Sequence, residues 1–340
     1  MSRLMIYGAS ANKPKPSASL SSSPAGHGPS SPPLAASLAA AYRVFELDDP
    51  SMVVSALKEA EIKVLLNCAG PFALTVAPLI AACIEAGVHY LDVSAELETY
   101  QLAADRSDDA RAADVMLLPG CGGSVAMLGC LAGHALRRVK NPTHIDIALR
   151  VAGPMSRGSI VSAAQGSMMN GGAVALQRRG GGLVPWLSEK TGEEGEASGQ
   201  FDFDDGEGVV PCFPVTLPDL FTIWKSTGVA NIRTYACVTA SGNMAFPEDS
   251  NNMLPDGPSA EEREANPYHA AVVVTGPDGS VGRAVLHTVN GYTFTAMASA
   301  QAARRVLEGE FSAGLQMPAM LFGNEFVETI AGSRLVDLHT

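Results

Sequence analysis

Four short stretches of this chain end apolar runs in residues that could hold a ligand: Gly8-Ala9-Ser10, Asn67-Cys68-Ala69-Gly70-Pro71-Phe72, Asp92-Val93-Ser94 and Pro119-Gly120. Glycine lets the backbone come close to a bound group, and uncommitted N–H groups at such turns favour anions such as phosphate. Each stretch alone is equally a turn that needs Gly or Pro for its geometry. Four of them at the ends of successive strands point to a cofactor cleft. The other chemically active clusters carry less. The acidic run FDFDDGEG, residues Phe201 to Gly208, lacks the spacing of an EF-hand loop and reads as an edge strand, so no metal is expected. The six cysteines contain no CxxC pair and no histidine at ligand spacing, which reads as reduced thiols. Cys121, set between glycines, is expected to be a buried packing residue and not a reactive thiol.

The elements that must position these stretches follow a repeating pattern. YRVFEL (Tyr42–Leu47), KVLLNCAG (Lys63–Gly70), VHYLDVS (Val88–Ser94) and VMLLPGCGG (Val115–Gly123) are predicted strands, each rich in β-formers. Between them lie predicted helices: one opened by Asp48-Asp49-Pro50 and running to about Ala60, one stopped by Gly87, and one from Leu97 to Ala113. Alternation of this kind gives parallel βαβ units, whose sheets bind ligands at the carboxyl ends of their strands. The four stretches are therefore expected side by side along one sheet edge. From Thr143 onward the texture changes. Strand-like runs such as THIDIALRVAG, RTYACVTA and HAAVVVTG alternate with polar or Gly-rich connections, as in a largely antiparallel sheet with a few helices. The predicted fold is α/β: a Rossmann-like parallel domain over residues 1–140, then a mixed α+β substrate or dimerisation domain over 141–340.

Charge and hydropathy limit the partners. A formal net charge of −12 repels nucleic-acid phosphates and anionic lipid, and the basic clusters are only two residues long. No apolar run approaches the roughly 18 residues of a membrane span, and the N-terminus lacks a leader pattern. The expected protein is cytoplasmic, takes a small-molecule or acyl substrate, binds no nucleic acid, has no membrane span, and has a second copy of itself as a partner in a homodimer.

NCAGPF at Asn67–Phe72 followed by GVHYLDVSAE at Gly87–Glu96 resembles the NADP-binding domain of the saccharopine dehydrogenase-like oxidoreductases. DLFTIWKSTGVANI (Asp219–Ile232), GYTFTAMASAQAARRVLEGEF (Gly291–Phe311) and MPAMLFGNEFV (Met317–Val327) are similar to the branch called trans-acting enoyl reductases. The resemblance runs over nearly the whole chain from Tyr42. It implies a two-domain oxidoreductase with an NADP(H) cofactor, reducing an enoyl or related unsaturated carbonyl by hydride transfer. Carried over, Gly8, Ala9, Ser10, Asn67, Cys68, Ala69, Gly70, Pro71, Phe72, Asp92 and Gly120 would line the cofactor. Ser94, Glu96, Ser226 and Thr227 would meet substrate, and Tyr90, Ser226 and Thr227 are the candidate catalytic hydroxyls. An asparagine suits ribose hydroxyls, while Asp92 and Glu96 suit helix capping as well as substrate contact. Ser226 and Thr227 are predicted in a turn with Gly228, facing a substrate oxygen or closing their own turn. The helix after PGCGGS lacks the acidic residue that relatives place in its first turns.

The opening stretch departs from the family. After Gly8, where a Gly-rich turn and a helix belong, residues 11–33 are dense in Pro and Ser with no apolar period. A shifted reading frame, a non-catalytic relative that has lost its phosphate turn, and a flexible cover over the cleft remain three readings of it. The second supports an alternative function, a binding or scaffold module in the family's shell.

Overall fold

The computed structural model describes residues 4–8, 40–41, 43, 45–160, 174–186, 199–238 and 257–338. These fall into two compact units. The first comprises residues 1–94, 101–119 and 301–316, and the second residues 95–100, 120–300 and 317–340.

The first unit is a parallel sheet with helices. Its described strands are β1 (Leu4–Tyr7), β2 (Val64–Asn67), β3 (His89–Asp92), β4 (Met116–Leu118) and β13 (Gly314–Leu315), in the spatial order β1-β2-β3-β4-β13, all parallel. All four residues of β2 are buried, which is why its sequence is a continuous apolar run without alternation. Helix α1 (Pro50–Glu59) starts where the sequence places it: the Asp49 carboxylate accepts from the N–H groups of Ser51 and Met52, and Pro50 fills the first helical position. Helix α2 (Phe72–Ala86) ends at Gly87, whose φ of 69° is the left-handed stop that a side chain would disfavour.

Two local expectations fail here. Arg43 and Phe45–Leu47 are not in a strand, and Tyr42 and Val44 lie outside the described residues. Strand β1 pairs on one side only, with β2, yet Arg43 and Phe45–Leu47 form no described ladder along its other edge, since strand propensity follows context more than composition. Phe45 instead stacks its ring on Tyr7, with centroids 5.4 Å apart. The long helix predicted from Leu97 to Ala113 breaks at Arg106 into α3 (Leu97–Asp105) and α4 (Ser107–Ala112). The break frees the Ser107 hydroxyl to accept from the Leu315 N–H at 2.9 Å and from Arg111 at 2.8 Å, tying α4 to β13.

The second unit is built on a mixed sheet. Its described strands are β5 (His144–Val151), β6 (Leu176–Arg179), β7 (Gly182–Pro185), β8 (Gly199–Asp202), β9 (Val209–Pro214), β10 (Asn231–Val238), β11 (Tyr268–Thr275), β12 (Val281–Thr288) and β14 (Arg334–Asp337). The main order is β14-β12-β11-β5-β10-β6-β7, with β9 also on β10 and β8 on β9. Pairings are antiparallel except β5 with β10, which are parallel in full register. Strand β8 pairs only with β9, as an edge strand does, and its Phe201 is buried at 4% exposure. The apolar helix α5 (Gly123–Leu136) packs on β5, β11 and β12 and against α6 (Asp219–Thr227). Among the described residues no helix is long and apolar enough to cross a membrane.

Candidate functional site

The carboxyl ends of β1, β2, β3 and β4 lie next to one another, because the parallel register sets Tyr7 beside Asn67, Asn67 beside Asp92, and Leu91 beside Leu118. The Cys68 N–H donates to the Tyr7 carbonyl at 2.9 Å and the Val93 N–H to the Asn67 carbonyl at 3.3 Å, which carries the alignment one residue past each strand. Gly8 follows β1 with φ of 82°, and a Cβ there would stand 2.5 Å from the Ala69 Cβ. Only glycine fits that approach. Ala9 and Ser10 lie outside the described residues.

Between these strand ends runs a buried hydrogen-bonded chain. The Asn67 amide nitrogen donates to the Thr75 hydroxyl at 3.0 Å and to the Tyr90 hydroxyl at 3.2 Å, and its oxygen accepts from the Ala69 N–H at 3.0 Å. Thr75 in turn donates to the Ala69 carbonyl at 2.8 Å, which folds the turn after β2 back onto α2. The Tyr90 hydroxyl donates to Asp92 Oδ2 at 2.9 Å, while Asp92 Oδ1 accepts from the Ser94 N–H at 2.9 Å and the Ser94 hydroxyl at 2.8 Å. Asn67, Tyr90 and Asp92 are each 0% exposed. Burial first, and then the charge of Asp92, raise the Tyr90 hydroxyl well above its usual range, so it keeps its proton.

This arrangement revises several sequence expectations. The Asn67 side chain spends both its amide protons and an oxygen lone pair inside the network and presents none of them to a ribose. Tyr90, offered as a catalytic hydroxyl, is a buried bridge between Asn67 and Asp92. Ser94, offered to the substrate, closes a turn on Asp92. In the second unit Glu96 accepts from the Ala95 N–H at 2.9 Å, capping the approach to α3. Gly120 has φ of 63°, and a Cβ there would lie 2.0 Å from the Tyr100 hydroxyl oxygen. It makes room for that buried ring. Cys121 is fully buried, as expected.

What the edge of the first unit leaves open is backbone. Cys68, Gly70 and Pro71 are exposed, the Gly70–Pro71 peptide is cis, and α2 begins at Phe72 with no side chain among the described residues capping its N-terminus. A helix of 15 residues with uncapped N–H groups at the end of a central parallel strand is the kind of terminus that takes a phosphate or a polar cofactor group. Leu74 on its first turn is 70% exposed and offers an apolar surface beside it. The Cys68 thiol is pushed up to about 11 by desolvation and by Asp92, so it is protonated near neutrality. The surface can hold and orient a nicotinamide cofactor through backbone atoms, while the hydroxyls and the carboxylate between the strands brace it from beneath.

In the second unit Ser226 and Thr227 are the last residues of α6, not a free turn. Ser226 donates to the Thr222 and Ile223 carbonyls at 2.8 and 3.1 Å, and Thr227 to the Ile223 carbonyl at 2.6 Å. Thr227 also accepts from the Val229 N–H at 3.2 Å, and Gly228 takes the left-handed stop at φ of 72°. Both hydroxyls thus close their own helix, the second of the two expectations. The residue passed over is Asp219, on the first turn of the same helix. It is 0% exposed, and among the described residues neither of its oxygens has a hydrogen-bond partner on another residue and the Thr222 hydroxyl one turn later has none. Burial pushes its carboxyl up to about 7. An acid inside the otherwise apolar LPDLF run was the available signal.

Comparisons with known proteins agree with this architecture. Residues 35–118 match the saccharopine dehydrogenase NADP binding domain. A stretch of 63 residues is 35% identical to a probable mitochondrial saccharopine dehydrogenase-like oxidoreductase of Arabidopsis thaliana, covering 18% of this chain and 14% of that protein. The match thus spans a small fraction of the relative's length. Among solved structures, the fold is similar to that of apo saccharopine dehydrogenase (L-Glu forming) from Saccharomyces cerevisiae, with a TM-score of 0.56 at 11% identity over 90% of this chain and 91% of that one.

Proposed function

We propose that the chain is an NADP(H)-dependent oxidoreductase whose substrate is an enoyl or related unsaturated carbonyl compound, a reading supported by the match of residues 35–118 to the saccharopine dehydrogenase NADP binding domain. The observation that carries this reading is the coincidence of that match with strands β2 to β4, at whose carboxyl ends the backbone of Cys68, Gly70 and Pro71 and the uncapped start of α2 are open. When bound, the cofactor supplies the hydride chemistry. The chain's own part begins with binding: the α2 N-terminus and the Gly70-Pro71 turn would hold polar groups of the cofactor, and Gly8 allows β1 to approach the turn after β2. The Asn67–Tyr90–Asp92–Ser94 network keeps those ends at fixed spacing, so little ordering remains to be done on binding. The unsaturated carbonyl class rests on the likeness of Asp219–Ile232, Gly291–Phe311 and Met317–Val327 to trans-acting enoyl reductases.

Stopped-flow recording of NADPH absorbance with a panel of enoyl thioesters tests the reading. Substrate-dependent loss of absorbance supports it, and NADPH binding without turnover on any of them removes the enoyl assignment. A second reading is favoured by one observation, the Pro- and Ser-rich run at 11–33 in place of a phosphate-cradling turn. It holds the chain to be a binding or scaffold module, and folded protein that binds neither NADPH nor NADH would support it.

A further inference from the structure

Strands β9 and β10 run antiparallel with Tyr235 opposite Pro214 and Ala236 opposite Phe213. One further step of that register sets Cys237 opposite Cys212. Residues facing each other in an antiparallel pair have Cα atoms about 4.5–5.5 Å apart, inside the roughly 4.4–6.8 Å that a disulfide spans. Both cysteines are free thiols; the Cys212 thiol donates to the Val210 carbonyl at 3.9 Å, and the two sulfurs are within hydrogen-bond reach of each other. They sit in one apolar cluster with Trp186, Phe201, Phe203 and Tyr235. Cys212 is 1% exposed and Cys237 8%, so both are buried.

The other neighbour of Cys237 supplies charge. Strand β5 lies parallel to β10 and sets Arg150 beside Cys237. Arg150 is ion-paired with Asp205, and among the described residues its Nε has no hydrogen-bond partner. The hydrogen bond with Cys212 and then the Arg150 charge lower the Cys237 thiol, against burial and Asp205. The same bond holds the Cys212 thiol far above its usual range. Arg150 beside Cys237 favours the thiolate there, which makes Cys237 the attacking sulfur and Cys212 the resolving one. The remaining cysteines with a resolved shift differ: burial drives Cys83 up, holds Cys130 at about 12, and Cys68 stands at about 11 although exposed.

We propose that Cys212 and Cys237 are an oxidisable dithiol that hydrogen peroxide converts into an intrachain disulfide joining β9 to β10. The Cys237 thiolate attacks one peroxide oxygen and the O–O bond breaks, giving Cys237 sulfenic acid and hydroxide. Cys212 sulfur then displaces the hydroxyl from Cys237 sulfur as water, leaving the S–S bond. In sum two thiols lose two hydrogens and two electrons to one peroxide, which becomes two waters. A small oxidant suits the site, because the aromatic cluster leaves little of either sulfur open.

The test uses the full chain, fully reduced, treated with hydrogen peroxide, quenched with N-ethylmaleimide in denaturant and mapped by mass spectrometry. The expected result is loss of two of the six titratable thiols, recovery of a peptide pair linked through Cys212 and Cys237, and full reversal by dithiothreitol. In Cys212→Ser the linked pair disappears and Cys237 collects a dimedone adduct, while in Cys237→Ser the Cys212 thiol survives the same exposure. Circular dichroism checks that both variants fold, and the map of the unmodified chain decides the matter if they do not. Oxidation of exposed Cys68 with both Cys212 and Cys237 recovered as maleimide adducts overturns the proposal, as does oxidation of the pair without a link between them.

Discussion

Asn67, Tyr90 and Asp92 show how a residue's type can be read correctly and its task missed. Asn67 and Asp92 stand at the strand ends where the sequence puts them and Tyr90 lies two residues earlier on β3, yet each turns inward, because a polar side chain on a buried strand must find partners within the protein. Thr75 completes the circuit and could not have been singled out, since nothing in a helix sequence marks which hydroxyl lies under a neighbouring strand. Tyr90→Phe removes the donor to Asp92 and the acceptor for Asn67 while keeping the ring. It is expected to cost about 1–3 kcal/mol in chemical denaturation, with the enzyme's residual turnover falling no further than the folded fraction. A larger loss of turnover than of folded protein would return Tyr90 to the chemistry. Asp219 makes a second claim at this scale. Its folded carboxyl stands near 7, above the usual value of 3.8, so the folded state holds the proton more tightly than the unfolded chain. Stability is then greatest below the unfolded value, falls as pH rises from about 4 to about 7, and is level above that. Asp219→Asn is expected to abolish this component, so that the variant's stability relative to the parent rises across the same window. Parallel denaturation curves for the two proteins from pH 4 to 8 would contradict the assignment.

At the scale of elements, the βα alternation was legible because buried parallel strands are continuous apolar runs and helices carry their own start and stop residues, Asp49-Pro50 and Gly87 among them. What could not be read was pairing. YRVFEL has strand composition but no described ladder partner, and the break at Arg106 depends on Leu315, more than two hundred residues away. The end of α6 admits two readings from sequence. Ser and Thr before Gly look like a turn, although such hydroxyls also bond back to carbonyls three and four residues earlier. Ser226→Ala is accordingly expected to shift the thermal midpoint little and turnover not at all, whereas Thr227→Val loses the bond to the Val229 N–H and costs about 1 kcal/mol. A selective fall in turnover for either would restore the substrate role. Gly8→Ala meets both a positive φ and the Ala69 side chain. It is expected to destabilise the first unit by about 1 kcal/mol or more and to weaken cofactor binding, both measurable by calorimetry with and without NADPH.

For the whole molecule, the fold class and the order of strand ends followed from sequence pattern, and the resemblance at NCAGPF and GVHYLDVSAE pointed to the domain that residues 35–118 match. The discontinuous make-up of the first unit, which takes in residues 301–316 through β13, has no sequence signal, because a two-strand contact of Gly314 and Leu315 with β4 depends on the folded sheet. The facing of Cys212 and Cys237 is of the same kind, visible only once β9 and β10 are in register. The central claim is that the open backbone at Cys68, Gly70 and Pro71 and the start of α2 bind a nicotinamide cofactor, and the most direct test is equilibrium titration of the purified chain with NADPH, followed by fluorescence and repeated with NADH. The account predicts saturable NADPH binding of micromolar affinity or tighter, weakened by Gly8→Ala. Folded protein that shows no saturable binding of either nucleotide would contradict it.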